Sequence, residues 1–209
     1  MEFCDTSCRD LIAALSGSDP VPGGGGASAL VGAIGTALGR MVGALTVGKP
    51  KYAAVDEKLS GAMEQATALQ ASLLSLMDRD AEVFLPLMEA YRLPKDTEAA
   101  QQARQTAVEA GLVAAAAVPL ELMQQLCKSI DLIAVFAENG APMALSDAGC
   151  GAILCKAALQ SASLNVFINT KSMLDQSAAA AINREAQALL SDYLVRADDI
   201  FLAVQNRYL

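Results

Sequence analysis

The sequence predicts an all-α fold, a multi-helix array of long, close-packed helices, and three observations carry this prediction. Apolar residues recur with the 3.6-residue period of a helix along nearly the whole chain. We find no convincing alternation of apolar and polar residues, the pattern of a half-buried strand. Hydrophobic residues make up 54 % of the 209 residues and aromatic residues only 4 %. Alanine, leucine and valine therefore supply the core, and their abundance favours close helix contacts and apolar surface buried between subunits.

The first three predicted helices are separated by breaks that contain glycine or proline. A helix over residues 5–15 is closed by Ser16-Gly17, and a glycine-rich loop follows it. The next helix covers residues 27–47. A long third helix over residues 54–90 contains Pro86, which removes one ladder donor and predicts a kink.

The second half of the chain contains four further predicted helices. Asp96 or Thr97 is a typical N-cap for the first of them, and Ser146 or Asp147 is expected to begin the third. No internal repeat and no linker divides the chain, so we predict a single domain over residues 1–209. The predicted bounds of these helices are 98–127, 131–138, 146–174 and 175–208.

The second predicted helix carries glycines at three- and four-residue spacings, at Gly32, Gly35, Gly39 and Gly43. These positions form one smooth face, which another backbone can approach closely. Each interior glycine weakens a helix by about 1 kcal/mol, so packing must offset the loss. The glycines, together with Arg40 in the middle of the segment, favour a helix buried in protein over a membrane span.

Charge and composition exclude several classes of function. A formal net charge of −8 argues against a nucleic-acid surface, which needs a basic face, but permits a small anionic ligand. No histidine is present, so Cys4 and Cys8, which would share a helix face, lack the partners of a zinc site. The nucleophilic triads lack their usual base for the same reason. An odd number of cysteines, five, and no visible export signal predict reduced thiols in a cytoplasmic protein.

The segment from Pro20 to Gly26 is the strongest candidate for a binding loop. Four consecutive glycines stand directly before the second helix. Helix N-termini carry unpaired N–H donors and partial positive charge, so contact with an anion is the functional interpretation, and a flexible linker or turn is the alternative. A nearby match to a nucleotide-binding P-loop at residues 43–50 is rejected. Pro50 stands where serine or threonine should hold magnesium, and the segment closes a helix.

Carboxylates and amides remain as the reactive groups of a site. Asp80, Phe84 and Tyr91 fall on or near one helix face. Burial there would raise the pKa of the Asp80 carboxyl toward the range useful for general acid–base catalysis. The alternative is a surface salt bridge between Asp80 and Arg79 or Lys95.

Two further polar pairs are weaker candidates. Ser146-Asp147 is more typical of a plain helix start than of a site, because serine and aspartate are common caps. Asn165 and Asn169 form an i, i+4 amide pair in an apolar helix. Buried amides need hydrogen-bond partners, so this pair either ties helices together or orients a polar heterocycle.

Short motifs follow one another in a specific order along nearly the whole chain. They are Pro22-Gly23-Gly24-Gly25 with Ala29, Thr46-Val47-Gly48-Lys49 with Lys51-Tyr52, Asp80 before Phe84, Ala90 with Leu93-Pro94-Lys95, Arg104, Pro119, Ser146-Asp147 and Asn165-Val166-Phe167-Ile168-Asn169. In this order and spacing they resemble the cyclodeaminase/cyclohydrolase family of folate enzymes. That family includes the C-terminal domain of formiminotransferase-cyclodeaminase and the stand-alone bacterial methenyltetrahydrofolate cyclohydrolases.

The resemblance implies an all-helical homodimer that acts on a tetrahydrofolate carrying a one-carbon unit, without a metal or redox cofactor. Family members either hydrolyse 5,10-methenyltetrahydrofolate to 10-formyltetrahydrofolate or close formiminotetrahydrofolate with loss of ammonia. We expect the hydrolysis, because the sequence contains no formiminotransferase domain to supply a formimino group. A cyclodeaminase and a catalytically silent helical dimer that binds folate or a protein are the alternatives.

The residues found above suit that chemistry. Asp80 or Asp147 is the expected base or proton shuttle, and the lysines are expected to meet the anionic glutamate tail. This chain departs from the family pattern at Gly26, where serine is usual, and at Ala141 and Met143, which replace two amides. The expected substrate-binding residues are Pro22, Gly23, Gly24, Gly25, Lys49, Lys51, Tyr52, Lys95, Ser146, Asn165 and Asn169.

Overall fold

Helices form nearly all of the regular structure in the computed structural model, which describes residues 3–209. These residues contain no strand, and the all-α prediction is confirmed. The α-helices are α1 (Cys8–Leu15), α2 (Gly24–Ala44), α3 (Asp56–Arg92), α4 (Glu98–Asn139), α5 (Leu145–Thr170) and α6 (Gln176–Gln205), and short 3₁₀ helices cover Phe3–Asp5, Pro50–Val55 and Pro142–Ala144.

The long helices α2, α3, α4 and α5 pack around one core, and α6 lies against α4 and α5. Short connections make successive helices antiparallel. Gly26 near the start of α2 lies beside Met77, whereas Gly43 near its end lies beside Met63. The core consists of aliphatic side chains with a single aromatic ring among the largest, including Phe136, Leu59, Leu73, Leu126, Ile130 and Ile133.

Glycines set the spacing between the antiparallel helices α2 and α5. A Cβ atom on Gly35 would lie 2.7 Å from Cys155 Sγ and 2.8 Å from the carbonyl oxygen of Gly151. On the turns before and after Gly35, side chains of α4 occupy the space that a Cβ atom would need. Leu126 occupies it at Gly32, and Ile133 occupies it at Gly39. The prediction of a smooth glycine face that another backbone approaches is confirmed, and this close packing offsets the low helix propensity of the glycines.

Polar side chains cap three of the described helices, and at the start of α1 the Ser7 hydroxyl accepts a hydrogen bond from the Asp10 N–H at 3.1 Å. The Thr97 hydroxyl accepts a hydrogen bond from the Ala100 N–H at 3.2 Å, as expected for the cap of α4. The Asp175 carboxylate accepts from the N–H groups of Ala178 and Ser177 at 2.9 and 3.0 Å at the start of α6. These hydrogen bonds, chiefly that from Ala178, hold the pKa of the Asp175 carboxyl below its usual range.

Two predictions of secondary structure were wrong. The expected glycine loop is helical, because Gly24, Gly25 and Gly26 form the first turn of α2 and Gly23 is its N-cap. The expected break after residue 127 does not occur, and α4 is continuous. Ser129, which interrupts the apolar pattern, is buried and accepts a hydrogen bond from the Thr36 hydroxyl at 2.9 Å, so a polar residue belongs to the packed face.

Smaller differences concern the ends of the elements. Cys4 and Cys8 do not share a helix face, because Cys4 lies in the first 3₁₀ helix and Cys8 begins α1. Helix α3 continues through Pro86 to Arg92. Helix α5 begins at Leu145, one residue before the expected start.

The last turns of α3 and the first turns of α4 extend beyond the main core as a helical hairpin. A second, small core joins this hairpin to the start of α6, and it is formed by Leu87, Leu112, Ala115, Met173 and Ala179. Gly111 of α4 packs directly against Leu87 of α3. The hairpin therefore forms a wall on one side of the end of the bundle where α2 begins.

Three segments are long and apolar enough to cross a membrane by length and composition alone. They are α2, α4 and the segment Pro142–Thr170, and 50 %, 39 % and 44 % of their most apolar windows are buried within the protein. Much apolar helix surface is therefore left uncovered within one chain.

Candidate active site

A cleft of about 260 Å³ opens at the end of the bundle where α2 begins and α5 ends. It is the place where the structure brings together residues that are far apart in the sequence. Its walls are Pro20, Val21, Gly23, Gly24, Gly25, Asp80, Val83, Phe84, Ala115, Asn165, Ile168 and Asn169. The N-terminus of α2, the middle of α3 and the last turns of α5 thus share one site, as predicted for the glycines, Asp80 and the amide pair.

Asp80 is the carboxylate of the cleft. Its Oδ2 accepts a hydrogen bond from the Gly26 N–H at 3.1 Å. Burial raises the pKa of the Asp80 carboxyl above its usual range, and the Gly26 hydrogen bond opposes this rise. Arg79 does not pair with Asp80, as the alternative required, because its guanidinium lies 3.0 Å from the Glu121 carboxylate. Asp80 is therefore a half-buried carboxylate that does not pair with Arg79, and groups of this kind are candidates for functional sites.

The glycines of the first turn of α2 let Asp80 approach the backbone. A Cβ atom on Gly25 would stand 2.3 Å from Asp80 Oδ1, closer than any side chain allows. At Gly26, by contrast, a Cβ atom would meet the Met77 carbonyl oxygen at 3.4 Å, an ordinary contact. The position where relatives of the predicted family carry serine therefore has space for a side chain, although this chain leaves it empty.

The two asparagines line the cleft with their amides held in place. Asn165 donates to the carbonyl oxygen of Ser161 at 3.1 Å. Asn169 donates to the carbonyl oxygens of Asn165 at 2.8 Å and of Ala115 in α4 at 2.9 Å. Because these bonds engage the amide nitrogens, the side-chain oxygens are the groups that can accept from a ligand. Asn169 also ties α5 to α4, as the first interpretation of the pair expects.

Apolar side chains form the rest of the cleft. Phe84 lies one turn beyond Asp80 on α3, as predicted, and Val83 stands beside it. The sequence analysis missed Ala115 and the role of Ile168 as a wall. Nothing in the residue type of Ala115, one of many alanines, points to the cleft. Ile168 could have been found only because it stands between the two asparagines. Tyr91, two turns beyond Phe84, is exposed and is not among the lining residues.

Pro22 does not line the cleft, contrary to its predicted role in binding. Its side chain is buried behind the segment that forms the edge of the cleft, and its neighbours Val21 and Gly23 line it instead. Pro22 is joined to Val21 by a cis peptide bond.

Several predicted site residues lie at the end of the helical bundle opposite to the cleft. Ser146 and Asp147 are in the first turn of α5, and Asn165 is in its sixth. Nineteen residues of α-helix separate Ser146 from Asn165, a distance of about 28 Å. Asp147 therefore cannot share a site with Asp80 within one chain, and Asp80 is the carboxylate that the cleft contains.

Lys49, Lys51 and Tyr52 follow the end of α2 and belong to the same distant group. The Lys49 ammonium donates to the carbonyl oxygen of Leu45. The Lys51 ammonium lies 5.5 Å from the centre of the Tyr52 ring, within range of a cation–π interaction. Two of the three departures from the family pattern, Ala141 and Met143, lie at this end as well. The side chain of Met143 is 79 % exposed, and the Ala141 N–H donates to the buried Thr46 hydroxyl at 2.8 Å.

Lys95 lies in a separate cavity of about 390 Å³ at the tip of the α3–α4 hairpin. Arg104, Gln101 and Ser172 also line this cavity. Ser172 follows Asn169 by three residues, and Arg104 lies eleven residues, about 16 Å, before Ala115 along α4. The cavity is thus on the same end of the molecule as the cleft. The sequence analysis missed Gln101, which donates to the Lys95 carbonyl oxygen at 3.0 Å.

Comparison with known proteins decides the family. A family model described as formiminotransferase-cyclodeaminase matches residues 7–188. The chain belongs to this family. A methenyltetrahydrofolate cyclohydrolase of Methylorubrum extorquens is 37 % identical over 193 residues, which cover 92 % of this chain and 93 % of that protein. The formimidoyltransferase-cyclodeaminase of Mus musculus is 32 % identical over 203 residues, or 97 % of this chain, but the match spans only 38 % of the mouse protein.

A solved structure supports the same assignment for this family member. The crystal structure of formiminotetrahydrofolate cyclodeaminase from Thermotoga maritima superposes with a TM-score of 0.81 and 25 % sequence identity. The match covers 97 % of this chain and 95 % of that one. The predicted family and the predicted fold are confirmed, and the names of the relatives agree with the prediction of a folate one-carbon enzyme.

Proposed function

We propose that this chain hydrolyses 5,10-methenyltetrahydrofolate to 10-formyltetrahydrofolate in the Asp80 cleft. The observation that carries the proposal is a half-buried carboxylate, held by the Gly26 N–H, that faces an apolar cleft together with the fixed amides of Asn165 and Asn169. The name of the Methylorubrum extorquens relative, which matches almost end to end, supports the choice of reaction.

The chemistry requires one base and a site that orients a flat heterocycle. The methenyl carbon is already a cationic electrophile, so a carboxylate that takes one proton from water is sufficient. Asp80 accepts that proton while the water oxygen bonds to the methenyl carbon, which becomes tetrahedral between N5 and N10. The hydroxyl proton of this intermediate is transferred to N5, the carbon–N5 bond breaks, and the formyl group remains on N10. Asp80 then releases its proton to solvent, so one proton leaves for each water consumed.

The shape of the cleft supports a specific placement of the substrate. The Phe84 ring and the Ile168 side chain offer apolar contacts to the pterin ring, and the asparagine side-chain oxygens can accept from its N–H groups. Lys95 and Arg104 offer positive charge to the carboxylates of the glutamate tail at the neighbouring cavity. The proposed reaction needs no metal or redox cofactor, because the substrate itself supplies the electrophile.

Cyclodeamination of formiminotetrahydrofolate is the second candidate, and the Thermotoga maritima structure and the mouse relative carry names of that activity. In that reaction N10 attacks the formimino carbon and ammonia departs. Asp80 can serve this reaction too, because its carboxylate can take the proton that N10 loses and pass it to the leaving nitrogen.

A spectroscopic assay separates these functions. Purified protein is mixed with 5,10-methenyltetrahydrofolate, and loss of its near-ultraviolet absorbance is followed against the rate in buffer. We expect acceleration, and a rate equal to that in buffer would contradict the proposed hydrolysis. The same protein with formiminotetrahydrofolate, assayed for gain of absorbance and for ammonia, tests cyclodeamination. Folate binding without either reaction would indicate the silent helical dimer.

We further propose that the chain acts as a homodimer in the cytoplasm. The uncovered apolar surface of α2 and α5 supports the dimer. The free thiols of Cys8, Cys127, Cys150 and Cys155 are those of a protein in a reducing compartment. The acidic balance of the chain supports the absence of a nucleic-acid partner.

A further inference from the structure

We infer that Pro119 is a positioning residue of the cleft, because it frees the backbone carbonyl of Ala115 to hold the side-chain amide of Asn169. The amide is thereby fixed with its oxygen as the only group that a ligand can meet. The identity of that ligand, a folate, rests on the proposed function, whereas the contact between Asn169 and Ala115 does not.

Pro119 interrupts the hydrogen-bond ladder of α4 without ending the helix, which continues to Asn139. Proline has no N–H, so the carbonyl oxygen four residues earlier, that of Ala115, receives no hydrogen bond from position 119. Ala115 is only 4 % exposed, and Pro119 is buried as well. A buried carbonyl without a partner costs about as much free energy as a lost hydrogen bond. The Ala115 carbonyl therefore requires a donor from another part of the chain.

The Asn169 side chain is that donor. Its Nδ2 lies 2.9 Å from the carbonyl oxygen of Ala115 and 2.8 Å from the carbonyl oxygen of Asn165. An amide nitrogen carries two hydrogens, so both are engaged. The opposite orientation of the amide would direct Oδ1 at two carbonyl oxygens, which cannot donate to it. Asn169 therefore offers the cleft only its Oδ1, which is an acceptor.

Asn165 provides a comparison within the same cleft. Among the described residues, its Nδ2 donates to the carbonyl oxygen of Ser161 alone, at 3.1 Å. One N–H of Asn165 is therefore left for a ligand, and this amide can present a donor as well as an acceptor. Asn169 is restricted to accepting, and its bond to the Ala115 carbonyl makes the difference.

An acceptor fixed in this way selects one edge of the ligand. The amino group and the ring N–H groups of a pterin are donors that Asn169 Oδ1 can accept from, whereas a ligand carbonyl placed there would leave both groups unpaired. Pro119 is not among the residues that line the cleft, so it acts through Asn169. The amino edge of the pterin is remote from the methenyl carbon. Loss of this contact should therefore raise KM more than it lowers kcat.

A double-mutant cycle on stability tests the contact without any assay of activity. In the wild-type background, Asn169→Ala leaves the buried Ala115 carbonyl without a donor. In the Pro119→Ala background, the restored backbone N–H at position 119 supplies one, so the same change should cost less. We expect Asn169→Ala to lower the folding equilibrium constant, measured by urea unfolding, by about 5- to 150-fold more in the wild-type background. An equal loss in the two backgrounds would overturn the inference.

Pro86 in α3 provides the matched control, since it is also a proline inside a long helix. Pro86 is exposed, and the carbonyl that it frees belongs to Glu82, which is exposed as well, so water can satisfy it. Pro86→Ala should therefore leave the cost of Asn169→Ala unchanged. A coupling of Asn169 to Pro86 as large as that to Pro119 would indicate a general effect of helix propensity and would overturn the inference.

The side-chain NMR signals of Asn169 give a second readout, which needs only the Pro119→Ala variant. Alanine favours a helix, so this variant is expected to fold. In the wild type both Nδ2 protons are hydrogen-bonded and should exchange slowly with water. In Pro119→Ala the N–H at position 119 takes over the Ala115 carbonyl, so one Nδ2 proton should move upfield and exchange about 10-fold faster. Identical Asn169 signals in the two proteins would contradict the positioning role.

Kinetics test whether the fixed acceptor serves the substrate. Pro119→Ala should raise KM for 5,10-methenyltetrahydrofolate by about 3- to 10-fold, with kcat within about 2-fold of wild type. In the Asn169→Ala background it should not raise KM further, and Pro86→Ala should leave KM unchanged in both backgrounds. An unchanged KM in Pro119→Ala, or an equal rise in both backgrounds, would overturn the role in binding. If the wild-type protein catalyses neither folate reaction, the proposed function fails, and the unfolding and NMR experiments still decide the contact.

Discussion

Asp80 combines a cost in stability with a gain in reactivity. Its carboxyl is half-buried, and its one hydrogen bond from a backbone N–H only partly replaces the water that burial removes. The carboxyl is therefore easier to protonate than an exposed one, and it sits where a proton acceptor is needed. Strained or poorly solvated groups of this kind are typical of functional sites.

Asp80→Asn should lower turnover by about 10²- to 10⁴-fold, because an amide keeps the shape of the carboxylate but cannot accept the proton from water. The measurement is the rate of loss of methenyltetrahydrofolate, with circular dichroism to show that helicity is retained. Glu82→Gln, an exposed carboxylate on the same helix, is the matched control and should remain active. Full activity of Asp80→Asn would show that another group is the base.

The pH dependence of stability should identify the same carboxyl. Burial raises the pKa of Asp80 in the folded state above its unfolded value, so the folded state holds a proton that the unfolded state has lost. As pH rises between these two pKa values, Asp80 therefore lowers the free energy of unfolding. Asp80→Asn removes this contribution, so its Tm relative to wild type should increase with pH through that window and then level off. A difference in Tm that does not change with pH would contradict the shifted pKa.

At the scale of the element, the first turn of α2 depends on glycines, which have no side chain to keep Asp80 away from the backbone. The N–H of Gly26 holds Asp80, and the missing Cβ of Gly25 makes room for its carboxylate. Glycine at these positions weakens the helix locally, but here it allows a backbone and a carboxylate to meet.

Adjacent glycines should respond differently to alanine. Gly25→Ala places a methyl group 2.3 Å from Asp80 Oδ1, so the carboxylate must move, and displacement of that order costs about 10²-fold in activity. Gly26→Ala meets only ordinary contacts and should fold with unchanged or slightly higher stability, by up to about 1 kcal/mol. Thermal unfolding and turnover of both variants are the measurements. Equal activity in the two variants would contradict the role given to Gly25.

The contact between α2 and α5 should be equally sensitive to a methyl group. Gly35→Ala would collide with Cys155 and the Gly151 backbone, and such overpacking destabilises by about 1–3 kcal/mol. Gly61→Ala in α3, where a Cβ atom meets nothing within 4 Å, should instead stabilise by about 0.5–1 kcal/mol. Urea unfolding of the two variants checks the opposite signs. A Gly35→Ala variant as stable as wild type would show that the helices can separate without loss.

For the whole molecule, the uncovered face of α2 and α5 is the surface that we expect the proposed homodimer to bury. Ile34→Glu places a charge in the middle of that face and should give a monomer, because an unpaired charge is not buried in an apolar interface. Val195→Glu changes a more exposed residue on α6, outside the face, and should leave the dimer intact. Sedimentation of both variants provides the test. A monomeric wild type, or a dimeric Ile34→Glu, would place the interface elsewhere.

The sequence by itself determined the helical class, the glycine face of α2, Asp80 as a candidate base and the family. Each of these depends on local chemistry: helical periodicity, residue size, or a motif of neighbouring residues. The same reasoning failed where tertiary contacts overrule local signals. The four glycines predicted a loop. Helix α2 nevertheless begins at Gly24, within the run, because Asp80 accepts a hydrogen bond from the Gly26 N–H. The predicted break after residue 127 is absent as well, and buried Ser129 of the continuous α4 accepts a hydrogen bond from the Thr36 hydroxyl inside the core.

Only the tertiary structure decided which candidates share a site. Asp80 and Asp147 were both candidate bases in the sequence, and the lysines on either side of α3 were all expected to meet the glutamate tail. Antiparallel packing places the start of α2 beside the end of α5, so Asn165 and Asn169 join Asp80 in one cleft. The same packing carries Asp147, Lys49 and Lys51 to the far end of the helices. Residue types establish which chemistry is available, but the direction and length of each helix determine which groups meet.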